Sequence, residues 1–269
     1  MRTHQYLHTY QRTALLLVLS LSALCVQAAP DPLIKRLPFD TPKQILFVGN
    51  SYLYYNDSLH NHVRRIAVAA DATLEKPLQY KSATIGGAPL AHHNILHLLE
   101  PGKLGLKQPF EVVILQGNST DAVSDAGRAS FREKVLEFSA EIAKRGGRTA
   151  LYMTHAHVAP SKFASPDMIR KVEDMVVSAA NESGSLVIPV GLAFEEAYRL
   201  RPEMKLHKDY DGSHPDLIGT YLAACVVYAS LYGKSPVGNA YDYYGKIDRE
   251  TTTFLQKVAE DTVKRFFSR

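Results

Sequence analysis

Glu111-Val112-Val113-Ile114-Leu115, followed at once by Gln116-Gly117-Asn118-Ser119, is the stretch on which the fold turns. Three β-branched residues in succession suit a pleated backbone, and an apolar run stopped by a polar, small-residue cluster reads as a strand buried on both faces. Such a strand belongs in the middle of a parallel sheet. Working outward, Gln44-Ile45-Leu46-Phe47-Val48 repeats the pattern and ends at Gly49, and residues 78–83 form a strand that closes at Gly86-Gly87. Residues 149–153 and 186–189 supply two more. Helical spacing fills the intervals: residues 59–70 behind Asp57 or Ser58 as N-cap, 88–99, 126–144, 165–182 with Ser165 capping and Pro166 in the first turn, 192–200, 215–232 and 248–267. Strands alternating with helices predict an α/β protein: a three-layer α/β/α sandwich around a doubly wound, mostly parallel five-stranded sheet, with residues 30–269 as one domain.

Residues 1–29 read differently. Arg2 and Arg12 precede the apolar run 14–26, which ends in Val26-Gln27-Ala28-Ala29-Pro30, the order of a secretory signal peptide cleaved after Ala28 or Ala29. About 13 residues fall short of the roughly 20 that a spanning helix needs, so no stable membrane anchor is expected after cleavage, and the mature chain is expected to be exported, periplasmic or secreted. Leu24 before Cys25 argues against a lipid-modified cysteine. Of the 269 residues 46% are hydrophobic and 22% charged, and loss of the leader lowers the formal charge from +4 to +2. Nothing in that balance calls for a nucleic-acid partner. The one cysteine left, Cys225, lies in an apolar run and is expected to be a small buried hydrophobe.

A serine hydroxyl becomes a nucleophile when a base takes its proton, a third group orients the base, and donors await the oxyanion. Gly49-Asn50-Ser51 follows the first strand, where glycine allows a sharp turn that sets the serine at the sheet edge; a turn serine capping the next helix has the same pattern. The Gly-x-Ser-x-Gly elbow of α/β-hydrolases is absent, because Tyr52 and Leu53 follow Ser51. In Asp211-Gly212-Ser213-His214-Pro215, an aspartate three residues before a histidine can lay its carboxylate against the imidazole, fix its tautomer and stabilise the imidazolium; a polar turn that caps the following helix is the alternative.

These two segments resemble the Gly-Asp-Ser and Asp-x-x-His motifs of the SGNH (GDSL-like) hydrolases. Between them, Thr84-Ile85-Gly86-Gly87 is similar to the family's oxyanion-hole glycine motif and Gln116-Gly117-Asn118-Ser119 to its Gly-x-Asn-Asp motif, all four in the family's order over residues 44–236. The resemblance implies a flavodoxin-like fold and a serine esterase forming an acyl-serine intermediate, with Ser51 as nucleophile, His214 as general base then acid, and Asp211 as its orienter. It also implies an oxyanion hole from the N–H groups of Ser51 and Gly86, or Gly87, with the Asn118 amide, and no cofactor. Asn50 and Ser119 stand where the family has aspartate, and Gln116 stands where it has glycine. In a register shifted by one, Ser119 would take the asparagine position.

Other polar residues leave choices open. His93 and His97 would share one helix face if residues 88–99 are helical, but no third ligand accompanies them or His92, and no metal is expected. His155 and His157 follow the fourth strand and either line the pocket or stand at the surface. Tyr52, Tyr54 and Tyr55 could stack on a sugar or acyl group or pack the helix entry. The partner expected is a small-molecule or carbohydrate ester, acetylated sugar foremost, for a carboxylesterase or carbohydrate O-acyl esterase; an inactive exported glycan-binding protein of the same fold is the competing reading.

Overall fold

The computed structural model describes residues 30–269. The leader reading and Cys25 therefore lie outside the described residues. Five strands, β1 (Gln44–Gly49), β2 (Gln79–Thr84), β3 (Val112–Leu115), β4 (Arg148–Tyr152) and β5 (Leu186–Ile188), form one all-parallel sheet in the order β2-β1-β3-β4-β5. The Glu111–Leu115 run is thus the middle strand, and β3 is buried at every position.

Alternate residues of the strands feed two separate cores. Ile45, Phe47, Val112, Ile114 and Tyr152 face one layer of helices, α2 (Leu59–Ala70), α6 (Val190–Leu200), α7 (Leu217–Tyr232) and α8 (Arg249–Phe267). Leu46, Val48, Val113, Leu115 and Leu151 face the other, built mainly from α4 (Asp125–Lys144) and α5 (Met168–Ser183). A strand with period two and apolar residues on both faces has this double burial as its consequence. Helix α7 carries no charged residue because α2, α6 and α8 pack around it, and Cys225 sits within it, 1% exposed, its thiol pushed up to about 12 by burial.

Two sequence expectations are corrected. Residues 88–99 are not one helix: a 3-10 turn (Leu90–His92) is followed by the single-turn α3 (Ile95–Leu98). His93 leaves the turn extended, at φ −92° and ψ 133°, and the Asn94 side chain caps the new start by accepting from the His97 N–H. His93 is buried whereas His92 and His97 are exposed, so the shared helical face does not exist. Ser165 and Pro166 precede their helix rather than open it. Asp167 holds the N-cap position of α5, and the Ser165 hydroxyl donates to its carboxylate. Among the described residues no helix is long and apolar enough to cross a membrane.

Because β2 and β3 flank β1 on opposite sides, the chain reverses its winding between β1 and β3. The crevice beyond the carboxyl ends of these strands is where such sheets collect ligands.

Candidate active site

Ser51 opens a single helical turn, α1 (Ser51–Tyr54), directly after β1. Gly49 before it cannot carry a side chain in this arrangement, since a Cβ there would stand 2.4 Å from Gln116 Oε1. That amide is wholly buried at the end of β3 and accepts the Asn50 N–H at 2.9 Å. Asn50 in turn uses both ends of its amide: its oxygen accepts the Tyr52 N–H, and its NH2 donates to Ala88 O at 3.0 Å and Gly117 O at 3.3 Å. A carboxylate could not donate to those carbonyls. The two departures from the family motifs, Asn50 and Gln116, therefore act together as one buried amide pair that ties the serine turn to β3.

His214 and Asp211 arrive from the loop before α7. His214 Nε2 lies 2.8 Å from Ser51 Oγ, and its Nδ1 lies 2.5 Å from Asp211 Oδ2. The second carboxylate oxygen accepts the N–H groups of Ser213 at 2.8 Å and His214 at 3.0 Å. Burial works to raise the Asp211 pKa, but the hydrogen bonds from the His214 ring and these two N–H groups outweigh it and hold the carboxyl below its ordinary value. Gly212 makes the loop's approach possible: at φ +60°, a Cβ would stand 2.1 Å from Val158 O, while Gly212 O accepts the Val158 N–H at 2.8 Å.

The remaining candidates fall around this pair. The N–H groups of Gly86 and Gly87 have no protein acceptor among the described residues, and Gly87 O accepts from Asn118 Nδ2 at 2.7 Å. Asn118 Oδ1 is occupied by the Thr120 N–H and hydroxyl, and the Asn118 N–H is held at 2.7 Å by Asp121, whose carboxyl burial pushes up to about 6 against that bond. The side-chain amide thus faces the glycine turn across the crevice with one proton left to donate.

His155 and His157 are buried, which corrects the surface reading. The His155 ring is sandwiched between Tyr52, at 4.4 Å, and Phe194, at 4.2 Å, and its Nε2 donates to Ser213 O at 2.9 Å. His157 lies 3.2 Å from both the Tyr52 and Ser213 hydroxyls, which are 2.7 Å apart. His207, unremarked in the sequence, lies edge-on to His155 and donates through Nε2 to Ala156 O at 3.0 Å. Burial lowers the pKa of all three, His207 to about 4; as neutral rings His155 and His157 brace the 211–214 loop through Ser213, and His207 packs behind His155. Tyr52 is buried among them. Tyr55 stacks on the His214 ring at 4.3 Å, and Tyr54 is exposed. Position just beyond β4 was the sequence signal for His155 and His157; His207 had none.

No protein-family model matches the chain, and no curated protein matches it in sequence. Solved structures do match in fold. A DUF4886 family protein from Bacteroides uniformis is similar at a TM-score of 0.63 and 19% identity, over 83% of this chain and 95% of that one. A candidate SGNH hydrolase from Slackia heliotrinireducens is similar at 0.57 and 22%, over 71% and 99%. An acetyl xylan esterase is similar at 0.55 and 15%, over 69% and 98%.

Proposed function

We propose that this chain, which has the fold of the SGNH hydrolases, is an exported serine ester hydrolase. The observation that carries the reading is the unbroken chain Ser51 Oγ, His214 Nε2, His214 Nδ1, Asp211 Oδ2, with links of 2.8 and 2.5 Å, at the carboxyl end of β1. Asp211 keeps the imidazole proton on Nδ1, which leaves Nε2 free to take the proton of Ser51 as its oxygen attacks an ester carbonyl. Negative charge then gathers on the carbonyl oxygen, and the N–H groups of Ser51 and Gly86 with the free proton of the Asn118 amide receive it. His214 passes its proton to the leaving alcohol, the acyl group stays on Ser51, and a water activated by the same Nε2 releases it as an acid.

Short acyl groups on carbohydrate are the substrates we favour. Exposed Tyr54 beside the serine offers a ring for a sugar, and one protein of similar fold is an acetyl xylan esterase. Export rests on the character of residues 1–29. Purified chain is expected to hydrolyse p-nitrophenyl acetate, with Ser51→Ala lowering kcat by on the order of 10⁴–10⁶. Undiminished turnover by Ser51→Ala would remove Ser51 as the nucleophile.

A further inference from the structure

A cavity of about 500 Å³ lies between the start of α2, with the residues just before it, and the loop of residues 241–244. The Ser51–His214–Asp211 chemistry makes no use of it, yet unusual backbone gathers around it. Among the described residues, the non-glycine positions with positive φ are Asn56 (53°), Asp57 (65°), Ser58 (66°), Tyr243 (58°) and Tyr244 (59°). Four of these five line the cavity and Asn56 adjoins it. Positive φ is easily tolerated by Asn and Asp but costly for Ser and Tyr, and such strain clusters at active sites, ligand clamps and switch regions.

The enforcing contacts centre on one buried ring. His62, 1% exposed, donates through Nε2 to Asn56 O at 2.7 Å, accepts at Nδ1 from the Tyr241 hydroxyl at 3.2 Å, and stacks on Tyr243 at 5.1 Å. The Tyr243 hydroxyl donates to the Asp57 carboxylate. Asn56 Nδ2 donates to Pro215 O at 3.0 Å and Thr220 Oγ1 at 2.8 Å, which ties this wall to the residue after His214.

The groups left facing the cavity have a definite chemistry. Neither Arg64 nor Arg65 forms an ion pair among the described residues, but the Arg64 guanidinium donates to the Glu75 carbonyl; Arg65 stands 5.9 Å over the Tyr244 ring, and Tyr244 is 71% exposed. The Arg65 guanidinium suits a carboxylate, and an open tyrosine face suits the C–H face of a pyranose. Asp57 and Asn61 supply partners for hydroxyl groups. A ligand carrying an anion and several hydroxyls uses every group. The volume falls in the range of small-molecule sites, roughly 300–1,000 Å³.

We propose that this cavity binds a uronate unit of an acidic carbohydrate, with Arg65 on its carboxylate and Tyr244 against its ring. Tyr55 stacks on His214 and is followed at once by the cavity wall, so a carbohydrate chain held here leads towards Ser51. Only that last placement rests on the esterase reading; binding itself does not.

Calorimetric titration of the full mature chain with a galacturonate hexamer, a glucuronate-containing hexamer and cellohexaose tests the site. At least one uronate hexamer is expected to bind, with cellohexaose about tenfold weaker or more. Tyr244→Ala and Arg65→Ala, both at exposed positions, are expected to weaken uronate binding about tenfold, and Arg65→Glu to abolish it, while p-nitrophenyl acetate hydrolysis stays within about twofold of the parent. Absence of binding by both uronates, equal binding of cellohexaose, or parent-like binding by the folded variants would overturn the proposal. Uronate binding without ester turnover would instead count against the esterase reading alone.

Discussion

The two halves of the candidate site are held in place by different means. Ser51 and Asn118 stand at the ends of β1 and β3, where sheet hydrogen bonds and the Asn50–Gln116 amide pair fix the backbone. Asp211 and His214 stand in a loop, and that loop owes its position to the buried neutral rings of His155 and His157, backed by His207, and to the contact of Gly212 with Val158. One half inherits its geometry from secondary structure and the other from packing. Damage to them should therefore look different.

The strand-borne half is tested most severely at Asn118. Asn118→Ala removes the donor proposed for the oxyanion and the bond to Gly87 O, and kcat on p-nitrophenyl acetate is expected to fall by on the order of 10²–10³ with KM little changed. A loss below tenfold would transfer the oxyanion role to the backbone donors alone. The loop-borne half is tested by His155→Phe, which keeps the ring between Tyr52 and Phe194 but deletes the bond to Ser213 O. A loosened His214 is expected to cost about ten- to a hundredfold in kcat, again without a matching change in KM. Unchanged kcat would show that the histidine brace is dispensable.

The smallest effect separates the halves by pH. His155, His157 and His207 are buried with pKa values lowered from 6.5, so below that pH the unfolded chain takes up protons that the folded chain refuses. Their contribution is fully present above pH 6.5 and is lost as pH falls; for His207 the loss runs towards about pH 4 and is on the order of 3 kcal/mol. Asp121, raised to about 6, runs the other way: its cost is full above pH 6 and is relieved as pH falls towards 3.8. Urea midpoints measured between pH 7.5 and pH 4.5 are expected to fall, and His207→Gln is expected to flatten that fall. A midpoint independent of pH over this range would contradict the buried neutral brace.

What the sequence disclosed follows the same division. The strand runs at 44–48 and 111–115 announce themselves because both faces are covered, and the strand ends then locate Ser51 and Asn118. The Asp211-Gly212-Ser213-His214 spacing was legible because acid and base lie within one turn of each other. The brace was not, because His155, His157 and His207 meet Tyr52, Phe194 and Ser213 only through tertiary packing, and an isolated histidine looks the same in a sequence whether buried or exposed. The broken helix at 88–99 failed for a local reason: Asn94 competes for the backbone as a cap, which apolar spacing does not register.

The central claim is that Ser51 is activated by His214 and Asp211. Treating the purified chain with a fluorophosphonate and mapping the modified peptide tests it most directly, because such reagents bond covalently to an activated serine. Stoichiometric labelling of Ser51, slowed by on the order of 10²-fold or more in His214→Ala, is the expected result. Labelling at another residue, or none on a protein that remains folded, would contradict the account.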